Sequence, residues 1–409
     1  MNKNNFLYNS CKAIFALYVL YSQFFKYIFT SIPRLSQILI IASFLLLIIY
    51  KKKIVIYKEM IWFAVFSALI LAASFFSHDS SIALTYSELI VEYFIMVYVL
   101  ISISELDGSV RFVSVLFVLL GVMMGIWMIL FGTGINRISI SEGVNVNIVG
   151  TVLAFSIGFI LFLLMTGKRT TFTVVLSVVL ILFLMFSVLS TASKKCLIAA
   201  VALIIGFVIF CYKYLFKKIP PVYVFLTTAF IVAVSVIAFA IISARYGDRL
   251  LYAQARMDDI LVDDSTQKRY ALILEGFSVF LKNPVLGVGI NNFRYYSTYT
   301  TYSHCTYAEL LACTGVVGTL LFAVPCITSL RDTIGAVRTK AKKTLQRSSA
   351  IYMLVIFIVM LFVCWTQIII YTPCLMYVLG TMMAYNYVEK NNGKTAADPD
   401  GDPAVITES

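Results

Sequence analysis

Apolar residues run through this chain in long blocks, and polar residues collect in the gaps between them. A membrane-crossing helix takes roughly 20 apolar residues. By that measure the sequence predicts twelve spans: 12–31, 35–50, 60–77, 82–104, 112–132, 147–166, 172–191, 196–216, 222–244, 305–330, 350–369 and 371–388. The shortest, 35–50 and 371–388, are the weakest of the set. Lipid offers no partner for a free backbone N–H or C=O, so spans of this kind are helices. The two-residue alternation of a membrane barrel is absent from the sequence. The expected fold is all-α, a polytopic membrane protein of about 12 transmembrane helices with one long external loop, about 245–304, carrying short helices. Residues 1–388 are expected to form a single transmembrane domain. The first apolar run is long and has no small-residue cleavage site, so it reads as an uncleaved span. Residues 389–409 are polar and rich in Asp and Pro, and are expected to be a disordered cytoplasmic tail.

Composition supports this class. Of the 409 residues 61% are hydrophobic and 13% charged, against about 25% charged in a soluble domain. Charge sets the expected orientation. Lys51, Lys52, Lys53 and Lys58, then Lys168 and Arg169, then Lys213, Lys217 and Lys218, and finally Arg331, Arg338, Lys340, Lys342, Lys343 and Arg347 all fall on one side of a twelve-span layout. Positive loops face the cytoplasm. The expected location is the plasma (inner) membrane, multi-pass, with both termini cytoplasmic. The loop 245–304, the segment 133–146 and the turn Ser190–Lys195 then face outward.

That outward loop is too basic for its side. It carries Arg245, Arg249, Arg256, Lys268, Arg269, Lys282 and Arg294, and the turn after the seventh span adds Lys194 and Lys195. An anionic substrate would account for such an excess. Pairing with Asp248, Asp258, Asp259, Asp263, Asp264 and Glu275 is the competing account. Within the loop, Tyr270, Ile273, Leu274, Phe277 and Phe280 recur at helical spacing and predict an amphipathic helix from Thr266 to Lys282, with Arg269 in its first turn. Asn283-Pro284 ends it. Gly287-Val288-Gly289 is a tight turn; it follows no strand and matches no nucleotide loop. Tyr295, Tyr296, Tyr299 and Tyr302 suit a membrane interface, and also suit the face of a sugar ring.

The candidate chemistry sits beside these elements. His304, one of two histidines, stands where the loop enters the tenth span. Its ordinary pKa is near neutral, and a helix N-terminus and burial both favour the neutral imidazole that can accept a proton. Arg269, Lys194, Lys195 and Arg294 are candidate phosphate ligands, with Arg256 a weaker one. Arginine holds phosphate oxygens in a fork, and lysine acts as a point charge. Glu88 and Glu92, one turn apart in the fourth span, read as structural or as transport-coupling acids. Glu309 lies five residues past His304 on another face, with no role indicated for it. The eight cysteines are scattered and show no metal spacing.

At these residues the sequence resembles the O-antigen ligase and O-antigen polymerase family of bacterial membrane glycosyltransferases. The matching positions are Arg269, Asn283-Pro284, Gly287-Val288-Gly289, Phe293, His304 and Gly315-Val316-Val317-Gly318, with Asn145-Val146-Asn147 and Ser193-Lys194-Lys195 further upstream. Cys305 stands where the family has asparagine, and Lys194 where it has arginine. The resemblance implies a many-helix fold with an external lid, and a polyprenyl-pyrophosphate-linked oligosaccharide as donor. It implies transfer with no metal or other cofactor. His304 and Arg269 are then the catalytic candidates; Arg269, Lys194, Lys195 and Arg294 the phosphate ligands; Asn147 and Tyr302 the substrate contacts. Expected partners are the lipid-linked oligosaccharide, the bilayer and a polysaccharide chain-length regulator, and no nucleic acid. Polymerisation of repeat units is the favoured activity. Transfer to a lipid core by a ligase is its alternative. A transporter of lipid-linked sugar is the rival of another class, against which stands the lack of paired repeats and of broken spans in matching positions.

Overall fold

The computed structural model describes residues 3–29, 32–134, 137–215, 264–340 and 344–397. The predicted span 222–244 and the cations Arg245, Arg249 and Arg256 lie outside them. Among the described residues the fold is helical, with one isolated bridge between Thr133 and Ser139. Helix α1 (Lys3–Leu20) continues through a π turn (Tyr21–Phe25) to Ile28. There follow α2 (Leu35–Lys51), α3 (Lys58–Ser74), α4 (Ser80–Leu106), α5 (Arg111–Phe131), α6 (Val146–Thr166), α7 (Thr171–Ser190) and α8 (Lys194–Leu215). After the undescribed stretch come α9 (Asp264–Lys282), α10 (Thr306–Thr339), α11 (Leu345–Cys364) and α12 (Pro373–Ala397).

Among the described residues helices stand at eleven of the twelve predicted places, and fewer than twelve of them are long and apolar enough to count as crossings. Six described helices are long and apolar enough to cross a membrane: α4, α5, α6, α7, α10 and α11. Helices α2 and α3 have 17 residues each. At 1.5 Å per residue that is about 25 Å, short of a hydrocarbon core of about 30 Å. Helix α1 is interrupted by its π turn. The tail is also corrected. Residues 389–397 continue α12, because Glu389 pairs with Lys340 and Asn391 donates to Glu105 at 3.2 Å. Residues 398–409 lie outside the described residues.

Helix α6 is almost wholly buried and α7 the least buried of the six, so α6 is central and α7 peripheral. The Tyr377 hydroxyl donates to the Val113 carbonyl at 2.8 Å and ties α12 to α5. Phe63 of α3 stacks on Phe94 of α4 with ring centres 4.3 Å apart. Lysines gather at one end of the bundle, each with an acid: Lys12 with Asp107 at 2.7 Å, Lys51 with Glu105 at 3.0 Å, and Lys58 with Asp332. Helices α4, α6, α8, α10 and α12 all begin at the other end.

Helix α10 is broken at Gly315, whose φ of 60° and ψ of −166° interrupt the helix. The turn after α9 is spliced into that break. Val288 and Gly289 donate their N–H groups to the carbonyls of Ala312 and Cys313, at 3.0 and 2.9 Å. Val316 and Val317 donate theirs to the carbonyls of Pro284 and Val285, at 2.8 and 3.3 Å. Backbone groups freed by the break are thus satisfied by the turn, as burial demands. Gly287 (φ 68°) fits because a Cβ there would lie 2.4 Å from the Cys313 backbone. So one predicted span is broken.

Helix α9 runs in the same direction as α10: Gly276 meets Ala308, and Pro284 meets Val316. Its packed face is Leu272, Gly276 and Val279. The stripe read from the sequence points elsewhere: Tyr270, Leu274 and Phe277 are exposed. Glycine at 276 decides this, since it lets the two helices approach closely on the small-residue side.

Candidate functional site

At the end where α4, α6, α8, α10 and α12 begin, four separate connections meet. The first precedes α6. Asn145 caps that helix, accepting from the Asn147 N–H at 2.9 Å. The Asn147 side-chain oxygen then accepts from Arg137 Nη2 at 3.2 Å and from the Ser193 hydroxyl at 2.8 Å. Arg137 Nε also donates to the Thr191 carbonyl at 3.3 Å. Asn147 therefore brackets an arginine to the turn between α7 and α8. That turn places Lys195 on the first turn of α8, where it is buried and donates to the Thr366 carbonyl at 2.8 Å. Lys195 lies within electrostatic reach of both Arg269 and Arg137.

The second half is the corner entering α10. His304 has φ 58°, the left-handed region that non-glycine residues avoid. Two features hold it there. The Ser303 hydroxyl donates to the Cys305 carbonyl at 2.9 Å. The Ser303 N–H donates to Glu309 Oε2 at 2.8 Å. Glu309 is fully buried, and its other oxygen accepts from the Tyr371 hydroxyl at 3.3 Å. Tyr371 in turn accepts from the Asn291 N–H at 2.9 Å. Thr306 donates to the Gln367 carbonyl at 2.5 Å and accepts from the Ile369 N–H at 2.9 Å. The loop after α9, the start of α10 and the connection before α12 are thereby locked together.

The His304 imidazole packs on Tyr302, ring centres 4.2 Å apart, and Tyr302 hydrogen-bonds with Asn145. Its pKa is pushed down from 6.5 to about 4: burial is the largest cause, followed by the positive charges of Arg269, Lys195 and Lys268. The imidazole is therefore neutral at physiological pH and within electrostatic reach of Arg269, Lys195 and Lys268. The dipoles of the convergent helix N-termini, each worth roughly half a positive charge, add to that field. The site is positive, with His304 as its neutral base.

Of the residues singled out in the sequence, His304, Arg269, Lys195, Tyr302 and Asn147 come together here. Lys194 heads α8, half-buried, and does not figure among the charges acting on His304. Arg294 donates to the side-chain oxygen of Asn291 at 2.8 Å and does not figure among the charges acting on His304. It lies by the corner where Asn292 accepts from the Asp79 N–H at 2.7 Å and Tyr295 donates to Asp79 at 2.7 Å. Arg256 falls outside the described residues. Glu92 is buried, with the Ser36 hydroxyl at 3.4 Å, and Glu88 lines a groove of about 340 Å³ beside Arg34.

Two site residues escaped the sequence. Arg137 is a lone cation in a short connection; the signal that could have found it is its place ten residues before Asn147. Helical spacing gives no indication that Glu309 orients His304, yet it reaches His304 through the Ser303 backbone. Spacing along one helix does not govern a residue that precedes the helix.

Both the broken α10 and the His304 corner fall within one stretch that has a recognisable relative. Residues 154–323 match the O-antigen ligase family. Among curated proteins none matches the chain. The O-antigen ligase match covers less than half of the chain. It includes Ser193, Lys195, Arg269, His304, Glu309 and Gly315, and excludes Arg137, Asn147 and Tyr371. With the apolar helices, the O-antigen ligase segment supports a multi-pass membrane protein of glycan assembly.

Proposed function

We propose that the protein is a membrane glycosyltransferase that takes polyprenyl-pyrophosphate-linked oligosaccharide as donor, at the outer face of the plasma membrane. The observation that carries this reading is the neutral His304 held beside Arg269 and Lys195. A diphosphate leaving group needs fixed positive charge where its own charge grows. An acceptor hydroxyl needs a base that is unprotonated at the working pH.

In this reading Arg269, Lys195 and Arg137 hold the pyrophosphate. The acceptor oxygen attacks the anomeric carbon and gives its proton to His304. The bond from that carbon to the pyrophosphate oxygen breaks, and its electron pair leaves on the pyrophosphate. His304 then returns its proton to solvent or to the released pyrophosphate. Base assistance is worth about 10²–10⁴ in rate. Removing one fixed charge-stabilising group costs about 10²–10³. Tyr302 offers a ring face and a hydroxyl to a sugar, Asn147 holds Arg137 in place, and Glu309 is the positioning residue of the His304 corner. A single transmembrane domain with both termini cytoplasmic suits the gathering of lysines at the opposite end of the bundle.

Polymerisation of repeat units is the favoured activity. The family description favours a second reading, transfer of the glycan to a lipid core, with the same donor chemistry and a different acceptor. The test is His304→Ala in the producing cell, with surface glycan resolved on gels. Single repeat units in place of long chains support the polymerase. Loss of all lipid-core-linked glycan supports the ligase. Chains of wild-type length from a normally inserted variant remove His304 from the mechanism.

A further inference from the structure

Helix α9 changes character along its length. Its first turns hold Asp264, Gln267, Lys268 and Arg269, whereas from Tyr270 to Leu281 the only polar residues are Glu275 and Ser278. Glu275 is occupied, accepting from the Thr298 N–H at 3.2 Å. The second half is apolar on both sides. Leu272 and Val279 pack inward, while Tyr270, Leu274, Phe277 and Leu281 point out, 65, 51, 40 and 75% exposed. A helix that is apolar all round belongs in a core or in lipid. The exposed strip does not end with the helix. It continues through Val285 and Leu286 of the turn, which adjoin the exposed Val316 and Leu320 on the flank of α10. That flank belongs to a helix long and apolar enough to cross the membrane. Exposed Phe75 and Phe76, beside the Ser77 that touches Gly289, extend the surface on the other side.

Depth follows from the splice at Gly315. Gly315 is nine residues past Thr306, so the turn docks about 13 Å along α10 from its start. Irregular backbone at such depth is tolerated only where its polar groups are satisfied by protein. The four hydrogen bonds between the turn and the break in α10 meet that condition.

We infer that α9 and the Pro284–Gly289 turn form a re-entrant element, whose outward face of Leu274, Phe277, Leu281 and Leu286 is immersed in the lipid of the leaflet on the site's side. The described part of the loop expected to face outward is then a wedge that enters the bilayer and returns. Lys282, exposed at the lower end of α9, would extend its alkyl stem back towards the head groups. The inference stands on packing and polarity, independent of any catalytic role.

Single nitroxide labels at positions 274, 277, 281 and 286, with one at Gln267 for comparison, test this in protein reconstituted into phospholipid vesicles. The expected result is loss of access to an aqueous nickel chelate at the four apolar positions, with access to oxygen kept, and the reverse at 267. Nickel access at 281 and 286 equal to that at 267 would make the element a solvated loop and overturn the inference. Exclusion of both reagents would show a protein cover and overturn it too. Leu281→Trp gives an independent reading: quenching by brominated lipid chains is expected, and quenching by aqueous iodide alone refutes immersion.

Discussion

Substitution Gly315→Ala probes the joint on which the site's scaffold rests. At φ 60° and ψ −166° the backbone occupies a region essentially reserved for glycine. An added Cβ would lie 2.3 Å from both the carbonyl carbon and the oxygen of Val285. Alanine is also the best helix former, so the variant invites α10 to close its break. A closed helix takes the Ala312 and Cys313 carbonyls for itself and expels the turn. The backbone penalty is about 1–3 kcal/mol. Each of the four hydrogen bonds between turn and helix contributes about 0.5–1.5 kcal/mol, so the docked turn loses about 3–9 kcal/mol against the undocked one. At about 1.4 kcal/mol per tenfold, amide exchange in 284–292 should accelerate at least about a hundredfold. Residues 316–317 should stay protected in the healed helix. Peptide-resolved hydrogen exchange on the purified protein reads both. The released turn also frees Asn291 from Tyr371, so glycan synthesis should fall with it. Unchanged exchange in 284–292 together with wild-type synthesis would refute the splice as the support of the site.

Other outcomes follow from the same geometry. Glu309→Gln keeps the shape but offers one acceptor oxygen to donors that now meet two; a buried unmet group costs about 1–3 kcal/mol, and kcat should fall more than KM rises, since His304 shifts while the cations stay. Arg137→Ala should lower transfer by about 10²–10³ in a reconstituted assay with lipid-linked donor, whereas Arg294→Ala, turned onto Asn291, should leave the rate within a few-fold. The pH profile has a definite sign. The folded His304 pKa of about 4 lies below the ordinary 6.5, so kcat/KM should stay level as pH falls through 6.5 and drop only towards about 4. A bound diphosphate offsets Arg269 and Lys195, so the acid limb of kcat should lie at higher pH than that of kcat/KM. For stability, the unfolded histidine takes a proton below about 6.5 that the folded one refuses until about 4, so this contribution is lost as pH falls across that window. Thermal melts of His304→Ala should lack that slope.

Much of the architecture was legible before any fold was seen. The apolar blocks located the helices, because burial in lipid and the need to satisfy each backbone group act on one segment at a time. The ending of α9 at Asn283-Pro284 and the turn at Gly287 could also be read. What the tertiary structure decided is which separate segments meet. Arg137, Lys195, Arg269 and Glu309 come from four different parts of the chain, and only the packing of α6, α8, α9 and α10 brings their ends to one place. The same packing sent Arg294 to Asn291, chose Leu272 and Val279 over Tyr270 and Phe277 as the inner face of α9, and let a glycine in α10 receive a turn thirty residues upstream. Local patterns encode what a segment prefers to be; long-range contacts, paid for by closing loops between distant segments, determine what it touches.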